Sequence, residues 1–204
     1  MRAGSSSSVK ENFLVPDWVF RERRSYTGIG SRRAPRPILQ LQTKTARRLA
    51  ELDYWCFSGG APGPDTAFYE GAPQAHTAFV PWDGFEDFPM VYPIVPAAFE
   101  LASLYHPGWN NLEQAVRKLM ARNCHQALGP SLKTPVEFVL CWTPDGCEHH
   151  RDRTRDTGGT GQAISVASEN DIPVYNMANP DWYIRLYEMH EINLYDIVND
   201  TQPG

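Results

Sequence analysis

The 204-residue sequence has no run approaching the roughly 20 apolar residues that a membrane-crossing helix requires, and its Met1-Arg2-Ala3-Gly4-Ser5 start lacks the apolar core of a signal peptide. These absences lead us to expect a cytoplasmic protein with no membrane partner. Cysteine is sparse: Cys56, Cys124, Cys141 and Cys147 stand far apart, which fits buried reduced thiols better than a disulfide framework. Cys147 lies near His149 and His150, but no second Cys/His pair stands at ligand spacing, so this segment reads as a polar loop and no metal is called for. Net positive charge is also missing. A formal charge of −5 argues against a protein that coats nucleic acid by neutralising many phosphates. Arginine is nevertheless unevenly placed: Arg21, Arg23, Arg24, Arg32, Arg33 and Arg36 are followed by Lys44, Arg47 and Arg48, so one edge of the fold is expected to be basic.

Two familiar phosphate signatures are absent as well. After Gly28 and Gly30 the third glycine of G-x-G-x-x-G is replaced by Arg33, no strand-end acid stands at the usual place for a ribose, and there is no Gly-Lys-Ser/Thr P-loop. NAD- or ATP-dependent catalysis of those kinds is disfavoured, and no cofactor is expected.

What is present is one domain's worth of alternating strands and helices. Residues 1–10, with four consecutive serines, are expected to be disordered, and residues 11–24, carrying Phe13, Leu14, Val15, Trp18, Val19 and Phe20, to dock as an arm. Strands are expected at 25–29, 54–57, 76–81, 136–142 and 172–176. Helices are expected after Pro35 and Pro37 to about Leu52, over 65–72 with Asp65 capping the first turn, over 112–126, from Gly158 to about Glu169, and from Asn179-Pro180-Asp181 onward. The stretch 82–111, rich in proline and aromatics, reads as a lid or packed flap. This alternation implies an α/β fold: a doubly wound, mainly parallel Rossmann-like sheet in the order 3-2-1-4-5 with helices on both faces. The expected organisation is an arm over 1–24, the Rossmann-like domain over 25–177, and a helical extension over 178–204 packed on the same domain.

Ligands of such sheets sit where the strand order reverses, at the carboxyl ends of the strands. Three glycine turns are expected to converge there: Gly28-Ile29-Gly30-Ser31-Arg32, Ser58-Gly59-Gly60 and Gly158-Gly159-Thr160-Gly161. A glycine at a strand end lets backbone N–H groups approach an anion, and the following helix offers the positive end of its dipole.

These turns, together with Ala121-Arg122-Asn123 and Trp142-Thr143-Pro144-Asp145-Gly146, resemble the SLOG superfamily, whose best-known members are the DprA and Lonely-guy proteins. The resemblance spans residues 25 to about 177 and is strongest to small DprA-like proteins of bacteriophages, which implies a bacterial host cytoplasm. It implies a ligand site built from Gly28, Gly30, Ser31, Arg32, Ser58, Gly59, Gly60, Asp65, Arg122, Asn123, Thr143, Asp145, Gly158, Gly159, Thr160 and Gly161. It also implies a homodimer, for which the apolar face of helix 112–126 is available.

Three functions follow as expectations. The first is binding of a nucleotide or nucleotide-derived signal molecule, sensed or sequestered. The second is a DprA-like accessory that binds single-stranded DNA. The third is hydrolysis of a nucleoside monophosphate's N-glycosidic bond, with Asp65 or Glu169 as the acid. This last is ranked lowest, because Gln162 and Thr157 stand where the phosphoribohydrolases carry an acid and a proline.

Overall fold

Each of the five strands is a short run of residues buried on both faces, as expected where helices cover the two sides of a parallel sheet. A computed structural model describes residues 9–12, 14–16 and 18–200. Phe13 and most of the 1–10 stretch lie outside the described residues. In chain order the elements are α1 (Val19–Glu22), β1 (Ser25–Gly28), α2 (Arg36–Glu51), β2 (Trp55–Ser58), α3 (Pro64–Gly71), β3 (His76–Ala78) and α4 (Pro96–Tyr105). There follow α5 (Gln114–Leu128), β4 (Phe138–Cys141), α6 (Thr160–Ser168), β5 (Val174–Asn176), α7 (Trp182–His190) and α8 (Tyr195–Asn199).

The sheet runs β3-β2-β1-β4-β5 and every pairing is parallel, so this is an α/β Rossmann-like fold. Alternate strand residues feed two cores. Phe57, Val139, Cys141 and Val174 pack with Ala98, Ala102, Ala121, Cys124, Ala163 and Ile164 of α4, α5 and α6. On the opposite face Tyr26, Cys56, Phe138, Leu140 and Tyr175 pack with Leu41 and Leu49 of α2, Phe68 of α3, and Trp182 and Leu186 of α7. All four cysteines are buried free thiols, and burial raises the pKa of each. No helix among the described residues is long and apolar enough to cross a membrane.

Several expected boundaries shift. The third and fourth strands are shorter than 76–81 and 136–142, and the helix expected over 112–126 runs from Gln114 to Leu128. The C-terminal helix begins at Trp182, two residues after Pro180, and α8 was not expected. The 82–111 stretch is part flap and part helix: α4 packs on α5 and α6 through the buried Ala98 and Ala102, while Phe85 and Phe88 pair across a tight loop. The arm is pinned to that flap. Asn12 uses its side-chain amide as a surrogate strand against the free edge of β3, donating to the Ala78 and Pro89 carbonyls (3.0 and 2.8 Å) and accepting from the Ala78 amide (3.1 Å). The Tyr92 hydroxyl bridges the amide and carbonyl of Val15.

A candidate phosphate-binding cleft

Because β1 and β4 are neighbours whose following helices cover opposite faces, a crevice opens beyond their carboxyl ends. A cleft of about 440 Å³ occupies it. Nine of the expected site residues line it: Gly30, Ser31, Arg32, Asp65, Arg122, Asn123, Gly158, Gly159 and Thr160. The turn after β1 and the amino end of α6 therefore face one space.

The first turn is held open by backbone geometry. The Ser31 amide donates to the Trp142 carbonyl (2.9 Å), and a Cβ on Gly30 would fall 2.8 Å from that same oxygen, so a side chain at position 30 would push the turn off the end of β4. At the other wall Gly158 takes a left-handed φ of 59°, and the chain enters α6 with no side-chain cap. The amides of Gly158, Gly159 and Thr160 have no acceptor among the described residues, and they stand at the positive end of the helix dipole. Arg33 reaches across the mouth to Asp156, 3.0 Å away, and links the two walls.

The floor is a buried polar network. Arg122, 7% exposed, places Nη1 3.7 Å from Asp65 Oδ2, while its Nε has no partner among the described residues. Gln126, oriented with its oxygen toward the guanidinium, accepts from Arg122 and from the Gly59 amide (2.9 Å) and donates to Asn123 Oδ1 (3.3 Å). Asn123 in turn donates to the Gly159 carbonyl (3.3 Å). Burial pushes the Asp65 carboxyl up, against the opposing pull of Arg122 and the Ala61 and Gly59 amides, and lowers Arg122 against the pull of Asp65. Leu119, Met120, Phe85 and Ala163 give the cleft an apolar wall, and the Phe85 ring lies 5.9 Å from the Arg122 guanidinium.

The other seven expected residues lie behind these walls. A Cβ on Gly28 would meet the Phe68 ring at 2.5 Å, so this glycine lets β1 pack on α3. Ser58 is buried with its Oγ 2.8 Å from His76 Nε2, and it accepts from the Gly60 amide. Gly59 makes room for Arg122, and Gly60, at φ 70°, packs against Phe88. Gly161 lies against Arg153 inside the first turn of α6. Thr143 turns sideways to bond Asn176. Asp145 accepts from the Thr154 and Thr157 hydroxyls. Burial pushes its carboxyl up, but these hydroxyls and that of Thr143 outweigh it and hold it at about 2.

Other expectations need correction. Asp65 does not cap its own helix, whose N-cap is Gly63. Its Oδ2 instead turns back to accept from the Gly59 and Ala61 amides (2.9 and 3.3 Å), so the second glycine loop spends these donors on an internal carboxylate. Glu169, at the far end of α6, pairs with His150. The arginine cluster is split, because Arg24 pairs with Glu137 before β1 whereas Arg32 and Arg33 follow it. On α5, Ala121, Cys124 and Ala127 are buried in the chain's own core and Leu119 and Met120 line the cleft, while Ala115 stays exposed. Phe85, Glu86, Arg33 and Gln126 line the cleft without having been singled out for it. Only Gln126 carried a signal, lying one helical turn beyond Arg122 on the same face of α5.

No protein-family model matches the sequence, and no curated protein does. Among solved structures the chain is similar to DNA processing protein A from Helicobacter pylori, described for its single-stranded DNA binding mode. The likeness covers 92% of this chain and 83% of that one at 18% identity, with a TM-score of 0.51. At this identity the likeness is one of fold, and the fold it supports is DprA-like.

Proposed function

We propose that the cleft binds a nucleotide or nucleotide-derived molecule, with a phosphate between the Gly30–Arg32 turn and the amino end of α6. The base and sugar lie along the wall of Leu119, Met120 and Phe85. One observation carries this reading: two glycine turns far apart in sequence and a nine-tenths-buried arginine line one cleft. Unbonded amides at a helix start and the helix dipole favour an anion there, and a guanidinium adds positive charge to the same cleft. Retention fits better than cleavage. Of the two acids considered for hydrolysis, Asp65 is bound to two amides beside Arg122, and Glu169 is paired at the far end of α6.

The test is thermal stabilisation against a panel of nucleoside mono-, di- and cyclic phosphates. At 100 times Kd a ligand adds about 2.7 kcal/mol, which at this size corresponds to roughly 5–10 °C in Tm. The expected result is a shift with at least one ligand that is lost in Arg122→Ala. No shift with any member of the panel refutes the reading.

A second reading, a single-stranded DNA accessory, is favoured by the free cations beside the cleft. Arg36, Lys44 and Arg47 line a neighbouring depression that meets the rim where Gly63 packs by Arg32, and Arg32, Arg36 and Arg47 make no ion pair among the described residues. The fold neighbour's described binding of single-stranded DNA points the same way. Three phosphate contacts predict a log-affinity against log-salt slope of about −2. A flat dependence, or no binding at low salt, refutes it.

A further inference from the structure

The two oxygens of Asp65 have different work. Oδ2 takes all the protein contacts: the Gly59 amide at 2.9 Å, the Ala61 amide at 3.3 Å and Arg122 Nη1 at 3.7 Å. Oδ1 has no partner among the described residues, and Asp65 lines the cleft. The residue is 4% exposed, so what little surface it keeps matters to a ligand already inside. A carboxylate oxygen with lone pairs to spare, in a residue otherwise so buried, repels phosphate and accepts from a hydroxyl or an amine. Its position has a chemical precedent in nucleotide-binding α/β folds, where a carboxylate beyond the first glycine turn accepts from a ribose hydroxyl. Here that carboxylate comes at the start of α3, after β2, and the amides of the second glycine loop hold it in place.

We infer that Asp65 Oδ1 accepts from a ribose hydroxyl of the bound ligand, making Asp65 a specificity-determining residue that selects ribonucleotides over nucleotides without those hydroxyls. The inference rests on the first reading above, that the cleft takes a nucleotide. It divides the cleft by charge, with the phosphate at the Gly30–Arg32 and α6 end and the sugar at the Asp65 end. It also accounts for the second glycine loop, whose amides orient a carboxylate in place of a phosphate.

The experiment measures Kd by calorimetry for the four ribonucleoside 5′-monophosphates and for their 2′,3′-dideoxy counterparts, on wild-type protein and on Asp65→Asn. The asparagine can keep its oxygen on the Gly59 and Ala61 amides and turn its NH2 to where Oδ1 stood. Wild type is expected to prefer the ribonucleotide by about tenfold or more, the scale of one hydrogen bond to a charged group. In Asp65→Asn the ratio is expected to fall toward one while dideoxynucleotide affinity changes less. Equal wild-type affinity for both sugars overturns the assignment and leaves the nucleotide reading standing. Failure of wild type to bind any of the eight overturns both. The wild-type ratio decides the matter even if Asp65→Asn does not fold.

Discussion

Replacing Gly59 by alanine tests whether the cleft floor is built as described. Gly59 does not need a left-handed φ, so alanine is conformationally allowed there and the effect is steric. Its Cβ would fall 0.9 Å from Arg122 Nη1 and 2.1 Å from Cζ, so the guanidinium must leave. Departure breaks its contacts with Asp65 and Gln126. An uncompensated buried charge costs about 3–5 kcal/mol, but the arginine tip is flexible and can swing into the cleft. We therefore expect about 2–3 kcal/mol, near the range for a hydrogen bond to a charged group. For a chain of this size that is a fall of roughly 5–10 °C in Tm. The same swing fills the phosphate seat and abolishes nucleotide stabilisation. The decisive assay is a double-mutant cycle by chemical denaturation. In an Arg122→Ala background the space is vacated, only the movable Gln126 tip remains nearby at 2.3 Å, and Gly59→Ala should cost less than about 0.5 kcal/mol. An equal cost in both backgrounds refutes the reasoning.

Asn12→Ala removes three hydrogen bonds at the edge of β3 and leaves the Ala78 amide unpaired. The expected cost is about 1–3 kcal/mol, with faster hydrogen exchange at Ala78, and unchanged protection contradicts the surrogate-strand role. His76 is buried beside Ser58. Burial first, and then Lys10, lower its pKa from 6.5 to about 3. Between those values the unfolded chain binds a proton that the folded chain refuses. This contribution to stability is complete above pH 6.5 and is lost as pH falls toward 3, by up to about 1.4 kcal/mol per unit. Denaturation midpoints from pH 7 to 4.5 should therefore fall less steeply in His76→Gln than in wild type, and coincident slopes count against it.

The sheet order was legible because each strand is a short apolar run ending at a turn, and because parallel crossovers leave few topologies. The convergence of the 28–32 and 158–161 turns followed from that order. Helix α4 was not legible. Its sequence, Pro96 to Tyr105, is apolar except at Glu100 and Ser103, so it shows no single stripe, although only Ala98 and Ala102 are buried. The role of Asp65 was misread because local rules favour a cap, whereas its partners lie back across the loop and on α5. Thr143 and Asp145 sit at a strand end, where ligands are expected, yet tertiary partners in β5 and the 154–157 loop claim their side chains. Phe85 and Glu86 belong to a flap without periodicity, so only the folded chain brings them to the cleft.

The central claim is that both turns serve one anion. It is tested most directly by following backbone amide resonances during titration with a nucleoside 5′-monophosphate, and with inorganic phosphate as a second probe. The amides of Gly30–Arg32 and of Gly158–Thr160 are expected to shift together along one saturation curve. Shifts confined to one turn, shifts confined to residues 36–47, or none at all contradict it.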